Sequence, residues 1–271
     1  IYSLLQPNIY VSKSLLAPAS SSGAINGALQ QYSGLAGLAG VDIPSAGGEI
    51  TNSKKAYKKL TSLSFFQNEI MPSIFLPNLM ALESWESETN SLIYDKAIFD
   101  IKSNTWMTSS PYSLEAKPSA QASFLKFKEH IALNEDDEGF MHISVKHQSP
   151  FIAKKWSELL IVNINSFYRQ KDKLESEKAV NYLNEKLATT NLSAVKEAIN
   201  ALLQDEIQKL TLIEASESYV YELIDYPVVM EFNDEPNRKF IISFSFIFGL
   251  FLSMIFVFAK HYYTKDKIVK A

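Results

Sequence analysis

An unbroken apolar stretch near the C-terminus constrains this chain more than any other feature. Residues 240–259 read FIISFSFIFGLFLSMIFVFA and contain no charged residue, proline or side-chain amide. A helix of this length spans about 30 Å, which is the thickness of the hydrocarbon core of a bilayer. A buried core helix is the alternative, but soluble domains rarely bury a helix that is apolar on every side. The stretch therefore predicts a transmembrane helix.

The charges beside this stretch indicate its orientation. The tail after Ala259 carries four lysines and one acid, Asp266, whereas Arg238 and Lys239 on the other flank follow three acidic residues. Lysine and arginine accumulate on the cytoplasmic side of membrane spans. We therefore expect residues 260–271 to form a cytoplasmic tail and the body of the chain to lie on the external side.

Small residues recur every four positions inside the predicted span. Ser245, Gly249 and Ser253 share one face of a helix, and a second helix can approach closely over such a face. Chance is the alternative, because serine and glycine are common in membrane helices. We predict transmembrane helix packing at these three residues.

The first residues of the chain are apolar as well. The run before Gln6 is too short to cross a bilayer, and we expect residues 1–6 to be the outer end of a first, truncated transmembrane helix. The two segments together predict a two-span hairpin with both termini inside.

The composition excludes several kinds of functional site. The chain has no cysteine, so disulfides, thiol nucleophiles, iron–sulfur clusters and cysteine-bound zinc are excluded. Its net charge of -4 argues against a nucleic acid partner. No phosphate-binding glycine loop, dinucleotide fingerprint or nucleophile elbow is present. We therefore predict a protein that is not an enzyme, with no catalytic residues, no cofactor and no metal.

One acidic segment raises a metal hypothesis. Residues 134–139 (NEDDEG) lie between two short apolar runs, near His130, His142 and His147. Their spacing follows no calcium loop, and no His-x-x-x-His pair is present. We interpret the segment as the solvated turn of a hairpin, with a metal site as the alternative.

The acids around Trp85 raise a second hypothesis. Glu83, Glu86 and Glu88 flank this ring, an arrangement that suits a platform facing a sugar. Ordinary surface carboxylates are the preferred interpretation, because isolated acids are common on protein surfaces.

Two long helices dominate the second half of the body. Residues 151–189 contain no proline or glycine, and Ser149 and Pro150 form a typical helix start. A second apolar pattern runs from 192 to 213, with Asn191 or Ser193 as its cap. Pairs Lys171–Glu175 and Lys173–Glu177 have the spacing of salt bridges along the first helix.

Apolar residues at helical spacing in these helices predict packing between protomers. Helices this long either pack on one another or need partner chains, and a compact monomeric bundle is the alternative. The residues assigned to oligomer or helix packing are Leu174, Leu183, Leu187, Val195, Ile199, Leu203, Ile207 and Leu210.

The remaining pattern completes an α+β body. We predict strands or extended segments at 8–18, 131–133, 140–145 and 218–229, and helices at 54–68 and 119–129; residues 25–51 combine glycine-weakened and loop-like sequence, and 85–103 is ambiguous. The predicted organisation is a membrane-proximal α/β base (7–150), a long extended α-helical hairpin (151–217), a return segment (218–239), a transmembrane helix (240–259) and the tail.

A set of short motifs in a fixed order resembles one known family. The motifs are LQPNIYVS (5–12), LLAP (15–18), GLAGLAGV (34–41), a lysine-rich helix ending near Phe65 and Phe66, Ser149-Pro150 with Ala153 and Trp156, YLNEKL (182–187), DYP (225–227), and Pro236 with Arg238-Lys239 before the final span. In this order the chain resembles the Wzz-type polysaccharide co-polymerases, the O-antigen chain-length determinants of Gram-negative inner membranes.

This resemblance implies a membrane-held regulator of polymer length. It implies two transmembrane helices, a periplasmic α/β base with a long helical extension, and a ring-like homo-oligomer. It also implies action on a Wzy-type O-antigen polymerase and its lipid-linked polysaccharide, without covalent chemistry. The proline-rich stretch that is expected before the last span is thin here, with Pro227 and Pro236 alone.

Two hypotheses from other classes remain open. A membrane-anchored periplasmic sensor or ligand-binding module would use the long helices to pass a signal inward. A membrane-tethered glycan hydrolase would need a pair of carboxylates in a cleft, and the sequence identifies no such pair.

Overall fold

The computed structural model describes residues 6–19, 52–107, 117–216 and 218–269, with side chains as far as Val257. The segment predicted at 25–51 and the first residues of the chain lie outside the described residues, apart from Gln6. The described part combines helices and sheets, and one long apolar helix lies at its C-terminal end.

Strands lie in both halves of the body, and the longest helices follow in the second half. The strands are β1 (Tyr10–Pro18), β2 (Leu82–Glu86), β3 (Ser91–Tyr94), β4 (Phe99–Asp100), β5 (Thr105–Trp106), β6 (Ile131–Glu135), β7 (Met141–His147) and β8 (Tyr221–Asp225). The helices are α1 (Asn52–Leu60), α2 (Leu63–Phe65), α3 (Pro77–Met80), α4 (Ala120–His130), α5 (Pro150–Thr189), α6 (Ser193–Ala215) and α7 (Arg238–Val269).

Four strands form an antiparallel sheet in the order β6-β7-β1-β8. Alternate residues of β7 are buried, as expected for a strand with one face on a core. The start of α5 packs on this sheet, where the hydroxyls of Ser14 and Ser157 lie 3.2 Å apart in a hydrogen bond. The sheet therefore fixes the position of the longest helix.

The core lies between the sheet, the first half of α5 and the short helices. Trp156 is at its centre, with its ring 5.6 Å from Phe127 and 5.0 Å from His147. Phe65, Phe66 and other large side chains pack into the same cluster. These residues explain why the segment after α1 folds back: burying two adjacent phenylalanines contributes more than extending an exposed lysine-rich helix.

The predicted helix at 54–68 is therefore interrupted at residues 61 and 62, and residues 63–68 are helical again. Helix α1 ends at Leu60, and the hydroxyls of Thr61 and Ser62 donate to the carbonyls of Lys58 and Lys59. The chain then continues through α2, a π-helical turn (Phe66–Ile70) and a 3₁₀ turn (Met71–Ser73). Hydroxyl side chains that bond to nearby carbonyls compete with helix propagation in this way.

The ambiguous segment 85–103 folds into parts of two small hairpins, β2–β3 and β4–β5. Asn90 and Asn104 have positive φ values of 50° and 53° beside the turns. Asparagine tolerates this left-handed conformation better than most residues. The other predicted strands and helices of the body are present within a few residues of their expected bounds.

Of the two predicted helix caps, Ser149 lies at its expected position before Pro150, whereas the cap of the second helix differs from the structure. The Ser149 side chain makes no capping hydrogen bond; its backbone N–H donates to Nδ1 of His147 at 2.9 Å instead. Leu192 occupies the cap position of helix α6, and no side chain caps this helix. Neither Asn191 nor Ser193 therefore acts as the predicted cap.

Candidate functional site

His147 is a buried structural group. Its Nδ1 accepts from Ser149, so the proton lies on Nε2, which is 3.2 Å from the carbonyl of Asn78. The ring also packs edge-on against Trp156. Burial lowers the pKa of His147 to about 4, and burial lowers the pKa of the neighbouring His130 as well. These two histidines are neutral parts of the core near pH 7.

The acidic turn is stabilised by its own side chains. Oδ1 of Asp136 accepts from the backbone N–H groups of Glu138 and Phe140, at 3.1 and 2.8 Å. Its Oδ2 lies 3.5 Å from Nε2 of His142 across the hairpin. Within the described ranges, no three histidine, aspartate or glutamate side chains are grouped to hold a metal ion.

Trp85 is engaged by its own hairpin and its neighbours. Its indole N–H donates to Oδ1 of Asn90 at 2.8 Å, and its ring packs edge-on against Tyr10 at 5.5 Å. The carboxylate of Glu86 accepts from the hydroxyl of Thr89 at 2.6 Å. These contacts explain Trp85 and Glu86 as structural residues of the β2–β3 hairpin.

Helices α5 and α6 pack on each other, and polar groups join them near the sheet. Lys173 pairs with Glu214 of α6, not with the predicted Glu177. The hydroxyl of Tyr219 donates to Asp172 at 2.6 Å, and burial together with this bond raises the pKa of Tyr219. The predicted pair Lys171–Glu175 is present at 3.5 Å.

The residues predicted to pack in these helices fall into three groups. Ile199 and Leu203 are buried, while Leu183, Leu187 and Leu210 are half-buried. Leu174, Val195 and Ile207 are exposed, at 55%, 41% and 54%. Other large apolar side chains on the same helices are exposed as well, namely Val162, Tyr182, Leu202 and Leu212, and so is Leu192 between the two helices.

Helix α7 is exposed over its whole apolar length. Arg238–Val257 has a mean hydropathy of 2.5 and is long enough to cross a membrane. Phe240, Phe244 and Phe248 stack along one side, with ring centroids 6.2 and 6.3 Å apart. On a helix of 3.6 residues per turn the predicted small-residue face lies about 140° from this row.

The small-residue face is open. A side chain at Gly249 would meet nothing within 4 Å, and the hydroxyl of Ser253 donates to the Leu250 carbonyl at 2.8 Å. Ser245 is exposed. A serine that bonds to its own helix leaves no unsatisfied hydroxyl in an apolar medium.

A clasp joins the start of the body to the start of α7. We use this name for Asn8, Ile9, Lys146, Glu235 and Arg238. Backbone bonds link Ile9 with Glu235 in both directions, at 2.9 and 3.2 Å. Arg238 donates to Oδ1 of Asn8 at 2.9 Å, and Lys146 pairs with Glu235.

The clasp was not found by sequence reasoning. Its two ends are polar and lie more than two hundred positions apart, so no local pattern connects them. Gln6 and Pro7 lie beside Phe240 and Ile241, around a shallow cavity that the clasp closes on one side. The chain therefore enters the body at the same place where it leaves for α7.

Similarity to known proteins is found in structure and not in sequence. No family model and no curated protein matches the chain. Two solved structures are similar at low identity. One is described as a fragment of WzzB, polysaccharide co-polymerase from Salmonella Typhimurium; it is 10% identical with a TM-score of 0.36, over 84% of this chain and 100% of that one.

The second is described as a full-length bacterial polysaccharide co-polymerase. It is 9% identical with a TM-score of 0.36, and the match covers 96% of this chain and 88% of that one. Both descriptions name the type of protein that the sequence motifs resemble. At such identities and TM-scores the likeness carries no argument about function or assembly, which rests on this chain's own residues.

Proposed function

We propose that this chain is a non-enzymatic regulator of polysaccharide chain length in the bacterial inner membrane. It acts as an oligomeric, ring-like scaffold beside a Wzy-type polymerase that extends lipid-linked O-antigen. The body stands in the periplasm, and the tail after α7 lies in the cytoplasm. The ordered motifs of the sequence support this family of functions.

The clasp is the observation that carries the proposal. A chain-length scaffold of this type is held in the membrane at both ends of its external body. Here the hydrogen bond between Arg238 and Asn8 and the backbone bonds of Ile9 hold the two ends together at the first turn of α7. The two described ends of the body therefore lie side by side at the start of α7, as expected for a body that is held in the membrane at both ends.

The exposed apolar side chains of α5 and α6 support the assembly. Leu174, Leu202 and Ile207 are each more than half exposed on helices that pack within the chain along another side. Soluble surfaces seldom expose so many large apolar residues on one pair of elements. Neighbouring copies of the chain would cover them.

A polysaccharide ladder tests the function. Deleting the gene is expected to change the modal length of lipopolysaccharide on a gel without abolishing the polymer. Expressing the unaltered protein in the deletion strain should restore the original modal length. An unchanged ladder after deletion would contradict the proposal. Mass measurement of the full chain in detergent separates a larger ring from the dimer that the sensor hypothesis predicts.

Gly249→Leu tests the small-residue face of α7. A bulkier side chain there should disturb the contact between spans and shift the ladder. Phe248→Leu is the matched control, because it introduces the same residue at the adjacent position, outside the face that carries the small residues. If both variants leave a normal ladder, the predicted helix packing at Ser245, Gly249 and Ser253 is wrong, but the proposed scaffold role is not contradicted.

A further inference from the structure

An apolar segment with no cover lies between β8 and α7. Alternate residues after the strand, Tyr226, Val228, Met230 and Phe232, are all exposed. Phe232 is 82% exposed, which is the highest value for any large apolar side chain among the described residues, including those of α7. Exposed apolar side chains that are grouped in this way are typical of a contact surface.

The backbone of this segment is held in place. The hydroxyl of Ser12 donates to the carbonyl of Val228 at 3.1 Å, and the N–H of Asp234 donates to the carbonyl of Ile9 at 2.8 Å. Phe232 therefore lies between two attachment points on the same edge of the sheet. The side chain of Phe232 is therefore exposed on a segment whose backbone is held on both sides.

Phe232 also lies close to the start of the predicted span. It precedes Glu235 of the clasp by three residues, which corresponds to at most about 10 Å of extended chain. Arg238 of the clasp is the first residue of α7, and Pro7, Phe240 and Ile241 line the shallow cavity beside it. The headgroup layer on each side of a bilayer is about 5–8 Å thick, so Phe232 is within reach of it.

We infer that the segment around Met230 and Phe232 rests in the interfacial layer of the bilayer that α7 spans, with Phe232 inserted as an anchor. Phenylalanine is among the residues that interfacial segments bury at the boundary between headgroups and acyl chains. The neighbouring carboxylates of Glu231 and Asp234 are exposed and stay hydrated among the headgroups. The partner is thus a lipid surface, which gives the body a contact with the membrane besides the clasp.

This inference rests on the membrane anchoring in the proposed function, and it restricts how the body stands on the bilayer. With α7 alone, the body would pivot about the clasp. A second contact on the β8 edge removes that freedom and sets the tilt of the sheet. A scaffold that measures or limits polymer length needs such a defined orientation.

Spin labelling tests the depth of Phe232 directly. The chain has no cysteine, so single-cysteine variants of the full chain are labelled at one site only. We would place nitroxides at Phe232→Cys, at Phe248→Cys within α7, and at Leu192→Cys between α5 and α6. The proteins are reconstituted in phosphatidylethanolamine–phosphatidylglycerol vesicles, and relaxation by oxygen is compared with relaxation by a water-soluble nickel complex.

The expected ratio of oxygen to nickel accessibility at 232 is several-fold above that at 192 and below that at 248. Tyr226→Cys is the matched control, because it lies on the same segment but farther from α7; its ratio should approach that at 192. A ratio at 232 equal to that at 192 would overturn the inference. Low accessibility to both reagents at 232 would also overturn it, because protein would then cover the site.

The same measurements keep the two proposals apart. If the label at 248 is readily reached by the nickel complex, α7 does not span the bilayer and the membrane anchoring itself fails. If 248 is buried in lipid and 232 is not, the lipid contact of Phe232 fails alone. The result at 232 does not depend on the polysaccharide ladder.

Discussion

The two halves of α5 have the same helical periodicity but opposite surroundings. In the first half, Ala153, Trp156, Leu160, Ile164 and Tyr168 are buried against the sheet and the short helices. Beyond Tyr168, Ser176 is the one buried residue of this helix. The apolar residues of the second half are half-buried against α6 or exposed.

This difference shows that an apolar stripe predicts a buried face without predicting what buries it. The first half finds its cover inside the same chain, because β1 and β7 lie beneath it. The second half has α6 alone, and one helix covers only part of the circumference of another. Under the proposed function, the uncovered remainder is where contacts between copies would lie.

The comparison predicts a large difference between two substitutions in α5. Trp156→Ala removes a ring that is 2% exposed and packed against Phe127 and His147, and should lower the free energy of unfolding by about 3–5 kcal/mol. Leu174→Ala, at 55% exposure, should cost less than about 1 kcal/mol in the isolated protomer. Urea unfolding in mild detergent measures both. Equal losses would contradict the division of the helix.

The buried half should also respond to acid. His147 is neutral when folded, with a pKa of about 4, whereas an unfolded histidine has a pKa of about 6.5. Below pH 6.5 the unfolded chain binds a proton that the folded chain does not. The free energy of unfolding therefore decreases as the pH is lowered from 6.5 to about 4. The full difference corresponds to about 3 kcal/mol. Urea unfolding at pH 7.5 and pH 5 measures the slope.

His147→Gln is the variant that isolates this effect. Its amide retains a donor and an acceptor but does not titrate, so the fall in stability between pH 7.5 and pH 5 should become clearly shallower. The residual slope reports the neighbouring His130, whose pKa is also lowered by burial. An unchanged slope in the variant would assign the acid sensitivity to other groups.

Tyr219→Phe tests the junction between the two halves. The substitution removes the hydrogen bond to Asp172 and should lower the free energy of unfolding by about 1 kcal/mol. Tyr182→Phe in the second half is the matched control, because Tyr182 is 58% exposed, and a change near zero is expected. Similar effects for the two variants would show that the Tyr219–Asp172 bond contributes little.

Ile207→Ser should have the smallest effect on folding and a clear effect on assembly. Its side chain is 54% exposed on α6, so the protomer should lose well under about 1 kcal/mol of stability. If copies cover this surface, the particle mass in detergent should fall. Lys196→Ser is a control at an exposed polar position of the same helix. A wild-type mass for Ile207→Ser would remove this residue from the interface.

Much of the fold was predictable because its signals are local. Strand β1, helix α4, the β6–β7 hairpin and the two long helices each carry their own periodicity and end signals within one segment. The same reasoning failed where distant groups compete. Lys173 pairs with Glu214 of α6 and not with Glu177, four residues along its own helix.

In the candidate site, too, one part could be predicted from the sequence and another part could not. The apolar length of α7 was readable from the sequence, since a bilayer imposes a fixed length on a helix. The clasp was not, because Asn8 and Arg238 are brought together only by the pairing of β1 with the returning chain. The segment 218–229 was predicted to be extended, but the exposure of its apolar side chains was not.

The amino-acid order alone establishes which segments are apolar and with what period, because periodicity follows from the geometry of each helix or strand. Only the tertiary structure shows which of those surfaces are covered. Burial depends on how many elements reach a given face, and that number follows from the order of the strands in the sheet. For this reason Trp156 is a core residue, while Leu174 and Phe232 are exposed on the surface of the chain.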